Sequence, residues 1–218
     1  MDSQIAHSQS QRVKDLLTCG SANVSDALRQ LGRHFQAMDG GIRPVAAGMR
    51  AAGPAYTVRC YPGATWAMEA AMEASRPGDV IVADGAGSID VILMGGLMGR
   101  RMHARGVAGA VVDGAVRDTE QLAAIGFNVF SRHVCPRAGT FAEIGEQQTI
   151  ICCGRIPVRP GDWVVADADG ITVVPVELLD ETIARAIAIH AREARIDVHL
   201  SQGHSIPDAA KRADAPSP

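Results

Sequence analysis

The chain has 218 residues, 47% of them hydrophobic and 21% charged, with a formal net charge of -3. That is a globular composition, and the length suits one domain with short extensions. The near-neutral balance lacks the basic face of a nucleic-acid-binding domain, and no apolar run approaches the ~18 residues of a membrane span, so neither kind of partner is expected.

Residues 1–10 and 206–218 read as disordered tails around a single α/β domain at 11–205. Ser25 to Leu31 predicts a short helix closed by Gly32, with Asn23 or Ser25 as its cap. Ala55 to Cys60 predicts a strand, Thr65 to Ser75 a helix, and Arg76-Pro77-Gly78-Asp79 a turn. Val80 to Ala83 is a continuous apolar run, typical of a strand covered on both faces. Gly85-x-Gly87 is half a dinucleotide fingerprint without its third glycine and reads as a turn. A helix ending near Arg105-Gly106 follows, then a second buried strand from Val107 to Val112. Asp118 to Ile125 predicts a helix closed by Gly126, and Phe127 to Phe130 a further strand. That alternation implies parallel βαβ units.

Thr149 to Val174 reads instead as consecutive strands with turns, and Glu177 to about Leu200 as a long helix. The expected fold is α/β: a mixed sheet, a barrel-like second half and a projecting C-terminal helix. Arg76 to Asp84 recurs as Arg159 to Asp167, each a Pro-Gly turn followed by a buried strand ending on aspartate. Two copies fall short of a solenoid, which needs about three. The basic run Arg100 to Arg105 reads as a solvated helix face rather than an anion patch.

The five cysteines, Cys19, Cys60, Cys135, Cys152 and Cys153, include no C-x-x-C pair and read as reduced thiols. With a polar stretch from Met1 to Lys14 that lacks the apolar core of a signal peptide, they make a cytoplasmic protein the expectation.

Two features carry chemistry. The stretch Val107 to Asp118 runs a buried strand through a glycine turn and delivers Arg117 and Asp118 to a helix start, where ligands of open α/β sheets bind. By itself the pair also reads as a helix cap and a surface ion pair. Gly95-Gly96-Leu97-Met98 places bare backbone N–H groups at another helix start, ready for a carboxylate or phosphate. The same glycines also serve close helix–sheet packing.

The order Val24 to Leu28, Gly41 to Pro44, Gly53 to Ala55, Pro77 to Val80, Gly95 to Met98, Arg105 to Val107, Asp113-Gly114-x-x-Arg117-Asp118 and Pro160 to Asp162 with Ala166 to Gly170 resembles the RraA-like family, over residues 20–205. That family has a swivelling-domain fold and includes 4-hydroxy-4-methyl-2-oxoglutarate (4-carboxy-4-hydroxy-2-oxoadipate) aldolases and regulators of an RNA-processing enzyme. The resemblance implies that Asp118 ligates Mg²⁺ or Mn²⁺, that Arg117 contacts the pyruvoyl group, and that Gly95, Gly96, Leu97 and Met98 hold its carboxylate. The reaction implied is class II aldol cleavage to pyruvate through a metal-stabilised enolate, with oxaloacetate decarboxylation alongside. A regulator-type member, or an enzyme acting on another 2-oxo acid, stays open. Homotrimers or dimers of trimers are implied, with an acidic residue reaching in from a neighbour's C-terminal helix; Glu193 is the candidate, and Arg195 competes for that slot. Gly96 departs from the pattern, because the aldolases usually carry Glu or Asp there, and that puts the substrate's identity in doubt.

Overall fold

The computed structural model describes residues 2–215, with side chains from residue 8 onward. Helix α1 (Asp2–Gln30) is broken at Gly20, whose φ of 78° and ψ of 168° are not helical. Strands β1 (Arg43–Pro44) and β2 (Ala51–Arg59) precede α2 (Trp66–Ala74), then β3 (Val80–Met94), α3 (Gly96–Ala104), β4 (Gly109–Val116), α4 (Thr119–Ala124) and β5 (Val129–Val134). The antiparallel half holds β6 (Glu146–Gln147), β7 (Ile151–Cys153), β8 (Ile156–Val158), β9 (Trp163–Ala166) and β10 (Ile171–Val174). A 3-10 turn, Val176–Leu178, leads into α5 (Leu179–Ser201) and α6 (Ile206–Ala213).

The order β1-β5-β4-β3-β2-β9-β10 makes one mixed sheet, with β6 on β2. Strands β2, β3, β4 and β5 are parallel neighbours, as the βαβ pattern requires. Every residue of β4 is buried, which explains the apolar run from Gly109 to Val112; the buried Asp113 that follows is paired with Arg132 at 2.5 Å. On one face, Met68, Leu93, Met102, Leu122 and Phe127 pack α2, α3 and α4 against the sheet. The other face is closed by the curling strands, with Ile42, Phe130, Val158 and Val164 in its core. A third cluster, including Leu16, Leu28, Trp163 and Ile183, joins α1 and α5 to β9.

The internal repeat is a repeated turn. Gly78 and Gly161 have φ of 88° and 86°, which glycine adopts without strain. In each copy the aspartate carboxylate accepts the backbone N–H three residues earlier: Arg76 to Asp79 at 2.7 Å, and Arg159 to Asp162 at 2.8 Å. The two turns lead into β3 and β9, which flank β2 on its two sides.

Several expectations differ from the structure. The tail expected at 206–218 contains α6, held on α5 by a two-pronged Arg192–Asp214 pair at 2.7 Å and by Arg195 donating to the Ala213 carbonyl at 3.1 Å. Residues 8–10, also expected as tail, are helical. Residues 1 and 216–218 lie outside the described residues. The turn expected at Gly85–Gly87 is a bulge inside a longer β3, where the pairing with β4 shifts register. The helix around Ser25 starts at Ser21, capped not by Asn23 or Ser25 but by Asp167. That carboxylate accepts the Ser21 N–H at 2.7 Å and its hydroxyl at 2.6 Å.

Candidate functional site

All four parallel strands end at one edge, and the segments that follow them line a single cavity of about 420 Å³. After β2 come Thr65, Glu69 and Met72, after β3 Gly95 to Met98, after β4 Arg117 and Asp118, and after β5 Ala138 and Gly139. Such a convergence beyond the carboxyl ends of strands is where α/β sheets bind ligands. The loops are tied to each other: Arg117 N–H donates to the Met94 carbonyl at 3.2 Å, and Ile92 N–H to the Arg137 carbonyl at 3.1 Å. Thr65 N–H and the Thr140 carbonyl close the remaining side at 3.0 Å.

Asp118 is the least ordinary residue of the site. Its φ of 60° and ψ of 37° are left-handed, a conformation that few non-glycine residues adopt, though Asp is among those that do. Its side chain makes no cap bond to α4, which it precedes. Instead Oδ2 turns back to accept the Gly96 N–H at 2.9 Å, so it caps the neighbouring helix α3. Arg117 Nε lies 3.4 Å from the same oxygen. Among the described residues Oδ1 has no hydrogen-bond partner, and the side chain is 33% exposed.

Gly95 has to be glycine at this packing distance. A Cβ there would meet Asp118 Oδ2 at 2.8 Å and Arg117 Cγ at 3.2 Å. At Gly96 a Cβ would come within 2.6 Å of Gln121 Oε1, the end of an exposed and flexible side chain. The Gly96 amide is already used by Asp118, which leaves the Leu97 and Met98 amides at the start of α3 for an anion.

The expected constellation therefore stands on one cavity: Gly95, Gly96, Leu97, Met98, Arg117 and Asp118 all line it. Glu193 is exposed on α5 and does not line this cavity within the single chain. Arg195 is engaged with α6 through the Ala213 carbonyl.

Sequence reading missed Thr65 and Glu69. Thr65 Oγ1 donates to Glu69 Oε1 at 3.0 Å, which holds the carboxylate at the cavity wall. The basic run is indeed a helix face: Arg101 grips Glu73 of α2 with two bonds at 2.9 Å, and Arg105 adds a third at 3.4 Å. The Arg101 hydrogen bond holds the Glu73 carboxyl below its ordinary range, and the pair clamps together the two helices that carry the site.

Comparison with known proteins identifies the family. Residues 21–173 match the Aldolase/RraA model of the RraA-like family. A Halalkalibacterium halodurans protein named "Putative 4-hydroxy-4-methyl-2-oxoglutarate aldolase" is 38% identical over 152 residues, 70% of each chain. An uncharacterized protein from Pseudomonas syringae pv. tomato has the same fold, with a TM-score of 0.82 and 28% identity over 92% of this chain and 96% of that one. Streptomyces coelicolor RraAS2, described as an unusual member of the RNase ES inhibitor RraA protein family, gives 0.74 and 30% identity over 82% and 92%. With a family match that spans the cavity residues and relatives at this level of identity, the chain belongs to the RraA-like, Aldolase/RraA family.

Proposed function

We propose that the chain is a divalent-metal-dependent pyruvate aldolase. It cleaves 4-hydroxy-4-methyl-2-oxoglutarate or a related 4-hydroxy-2-oxo acid, with oxaloacetate decarboxylation as a side activity. One observation carries this reading: a single cavity joins amides at a helix start, a guanidinium and a carboxylate oxygen that has no partner among the described residues. These are the groups that the head of a 2-oxo acid and a hard cation require.

The donor set fits Mg²⁺ or Mn²⁺ held through Asp118 Oδ1. No group of three or more His, Cys, Asp or Glu side chains forms a cage among the described residues. That suits a cation that keeps several waters and takes further oxygens from its substrate. When bound, the ion supplies Lewis-acid stabilisation of negative charge on the substrate oxygens. The chain's own residues do the rest. The Leu97 and Met98 amides hold the carboxylate at the positive end of α3. Arg117 sets a fixed positive charge where charge develops on the keto oxygen as the carbon–carbon bond breaks. Lys14 and Lys211 are the only lysines, they lie on α1 and α6, and among the described residues neither lines the cavity, which disfavours an imine mechanism.

The test is pyruvate release from oxaloacetate with Mg²⁺, after chelation, and after metal is restored. Activity that is lost and regained with the ion supports the reading; no pyruvate with any divalent ion overturns it. That second outcome is what a regulator-type member would give. This alternative draws on the similarity to RraAS2 and on glycine at position 96.

A further inference from the structure

We propose that Glu69 is the acid–base residue of the site: it takes the proton of the substrate's 4-hydroxyl group and returns it to carbon 3 of the product. The inference rests on the aldolase reading and assigns the proton transfer that cleavage requires.

The lining of the cavity carries the argument. Among the described residues it holds three ionisable side chains, Glu69, Arg117 and Asp118, and no histidine, cysteine, lysine or tyrosine. Arg117 keeps its proton and cannot act as a base. Asp118 is engaged with the Gly96 N–H through Oδ2 and, in the proposed function, with the cation through Oδ1. Breaking a carbon–carbon bond next to a hydroxyl needs a positioned group that accepts a proton and gives it back. Glu69 is the one that remains.

Its placement suits the task. Thr65 Oγ1 donates to Oε1 at 3.0 Å, which holds the carboxylate in one orientation. Among the described residues Oε2 has no hydrogen-bond partner, so it can accept from a substrate hydroxyl. Glu69 stands on α2, which follows β2, whereas Arg117 and Asp118 follow β4. Strand β3 lies between those two, and the helix after it supplies the Leu97 and Met98 amides. At the usual strand spacing β2 and β4 are about 10 Å apart. A 4-hydroxy-2-oxo acid whose head group meets those amides and Arg117 therefore has room to extend carbons 3 and 4 toward Glu69.

The proton is conserved through the step. As the bond between carbons 3 and 4 breaks, Oε2 accepts the hydroxyl proton and the oxygen on carbon 4 becomes a carbonyl. The electron pair of the broken bond passes to the pyruvate enolate. The Glu69 carboxyl then gives its proton to carbon 3, which yields pyruvate and leaves Glu69 ionised as it began. Oxaloacetate has no 4-hydroxyl group: it loses carbon dioxide to give the same enolate, which solvent water can protonate. Decarboxylation therefore needs no base, and it separates a proton-transfer role from a structural one.

Glu69→Gln keeps an oxygen for Thr65 and removes the base. Two rates should fall with Mg²⁺ present: cleavage of 4-hydroxy-4-methyl-2-oxoglutarate, and exchange of the pyruvate methyl protons in D₂O followed by NMR. Each should slow at least about a hundredfold, while oxaloacetate decarboxylation stays within about threefold of wild type. Pyruvate affinity, measured by calorimetry, should not change. Exchange involves no second carbonyl product, so it reports on Glu69 whichever 4-hydroxy-2-oxo acid is the substrate. Wild-type exchange in Glu69→Gln, or an equal loss of exchange and decarboxylation, would overturn the proposal and leave the aldolase reading standing. A wild type that releases no pyruvate from either acid removes both.

Discussion

The carboxylate of Asp118 has two jobs that different substitutions separate. Oδ2 caps α3 through Gly96, whereas Oδ1 is the oxygen assigned to the metal. Asp118→Ala should remove both, at about 1 kcal/mol for the lost cap. For a chain of this size that is a drop of roughly 2–4 °C in melting temperature. Asp118→Asn keeps an oxygen for the Gly96 N–H, so it should melt close to the wild type and yet release no pyruvate with Mg²⁺. A fully active Asn variant would detach Asp118 from the metal. Arg117→Lys is the complementary probe, because an ammonium cannot bind two oxygens as the planar fork does. The expected loss is on the order of 3 kcal/mol, seen mainly in turnover. A change confined to KM would make Arg117 a binding residue only.

At the scale of elements, the two Pro-Gly-Asp turns offer a controlled comparison. Asp162 is buried and accepts two backbone N–H groups, from Arg159 at 2.8 Å and Val176 at 3.2 Å. Asp79 accepts one of this kind, from Arg76, and is only partly buried. Each part-buried hydrogen bond lost costs about 1 kcal/mol, so Asp162→Ala, which loses two, should destabilise more than Asp79→Ala in chemical denaturation. Burial raises the Asp79 carboxyl above its ordinary range, opposed by the Arg76 N–H and charge. A raised native value means that the charged form is disfavoured on folding. Its contribution is fullest below the unfolded value of about 4 and declines as pH rises through the native one. Asp79→Asn, which keeps the acceptor, should therefore gain stability over wild type at neutral pH and lose that advantage in acid.

These turns were legible in the sequence because they are local: proline, glycine and aspartate at fixed offsets determine them. The parallel core was legible for a similar reason, since buried strands open on continuous apolar runs such as Val80 to Ala83 of β3 and Gly109 to Val112 of β4. What escaped depends on distant partners. The helix α6 follows a polar stretch and reads as tail until Asp214 meets Arg192. The capping of Ser21 comes from Asp167, far along the chain. In the site, Arg117 and Asp118 announce themselves by their motif, whereas Glu69 looks like any polar residue on an Ala- and Met-rich helix. Only the common edge of four strands brings it to the cavity.

For the whole molecule, the single chain leaves apolar side chains exposed beside its site. Leu97 is 81% exposed at the cavity, and Val134, 49% exposed, lines a second cleft that shares Arg117 and Asp118. We propose that the chain assembles as a homotrimer or a pair of trimers, as the resemblance to its family implies. Heterologous contacts that close by rotation would then bring the exposed Glu193 of one subunit toward the cavity of the next. Glu193 has no ion-pair partner among the described residues, whereas its neighbour Arg192 holds α6, so Glu193→Ala should leave the fold unchanged. If each site joins Asp118 of one subunit to Glu193 of another, Glu193→Ala and Asp118→Asn should each be inactive alone. Co-refolded in equal amounts, they should recover about a quarter of wild-type activity, because half the sites keep Asp118 and half of those meet an intact Glu193. Sedimentation should show trimers or hexamers throughout. A fully active Glu193→Ala trimer would confine the site to a single chain, and a fully active monomer would remove the need for a partner altogether.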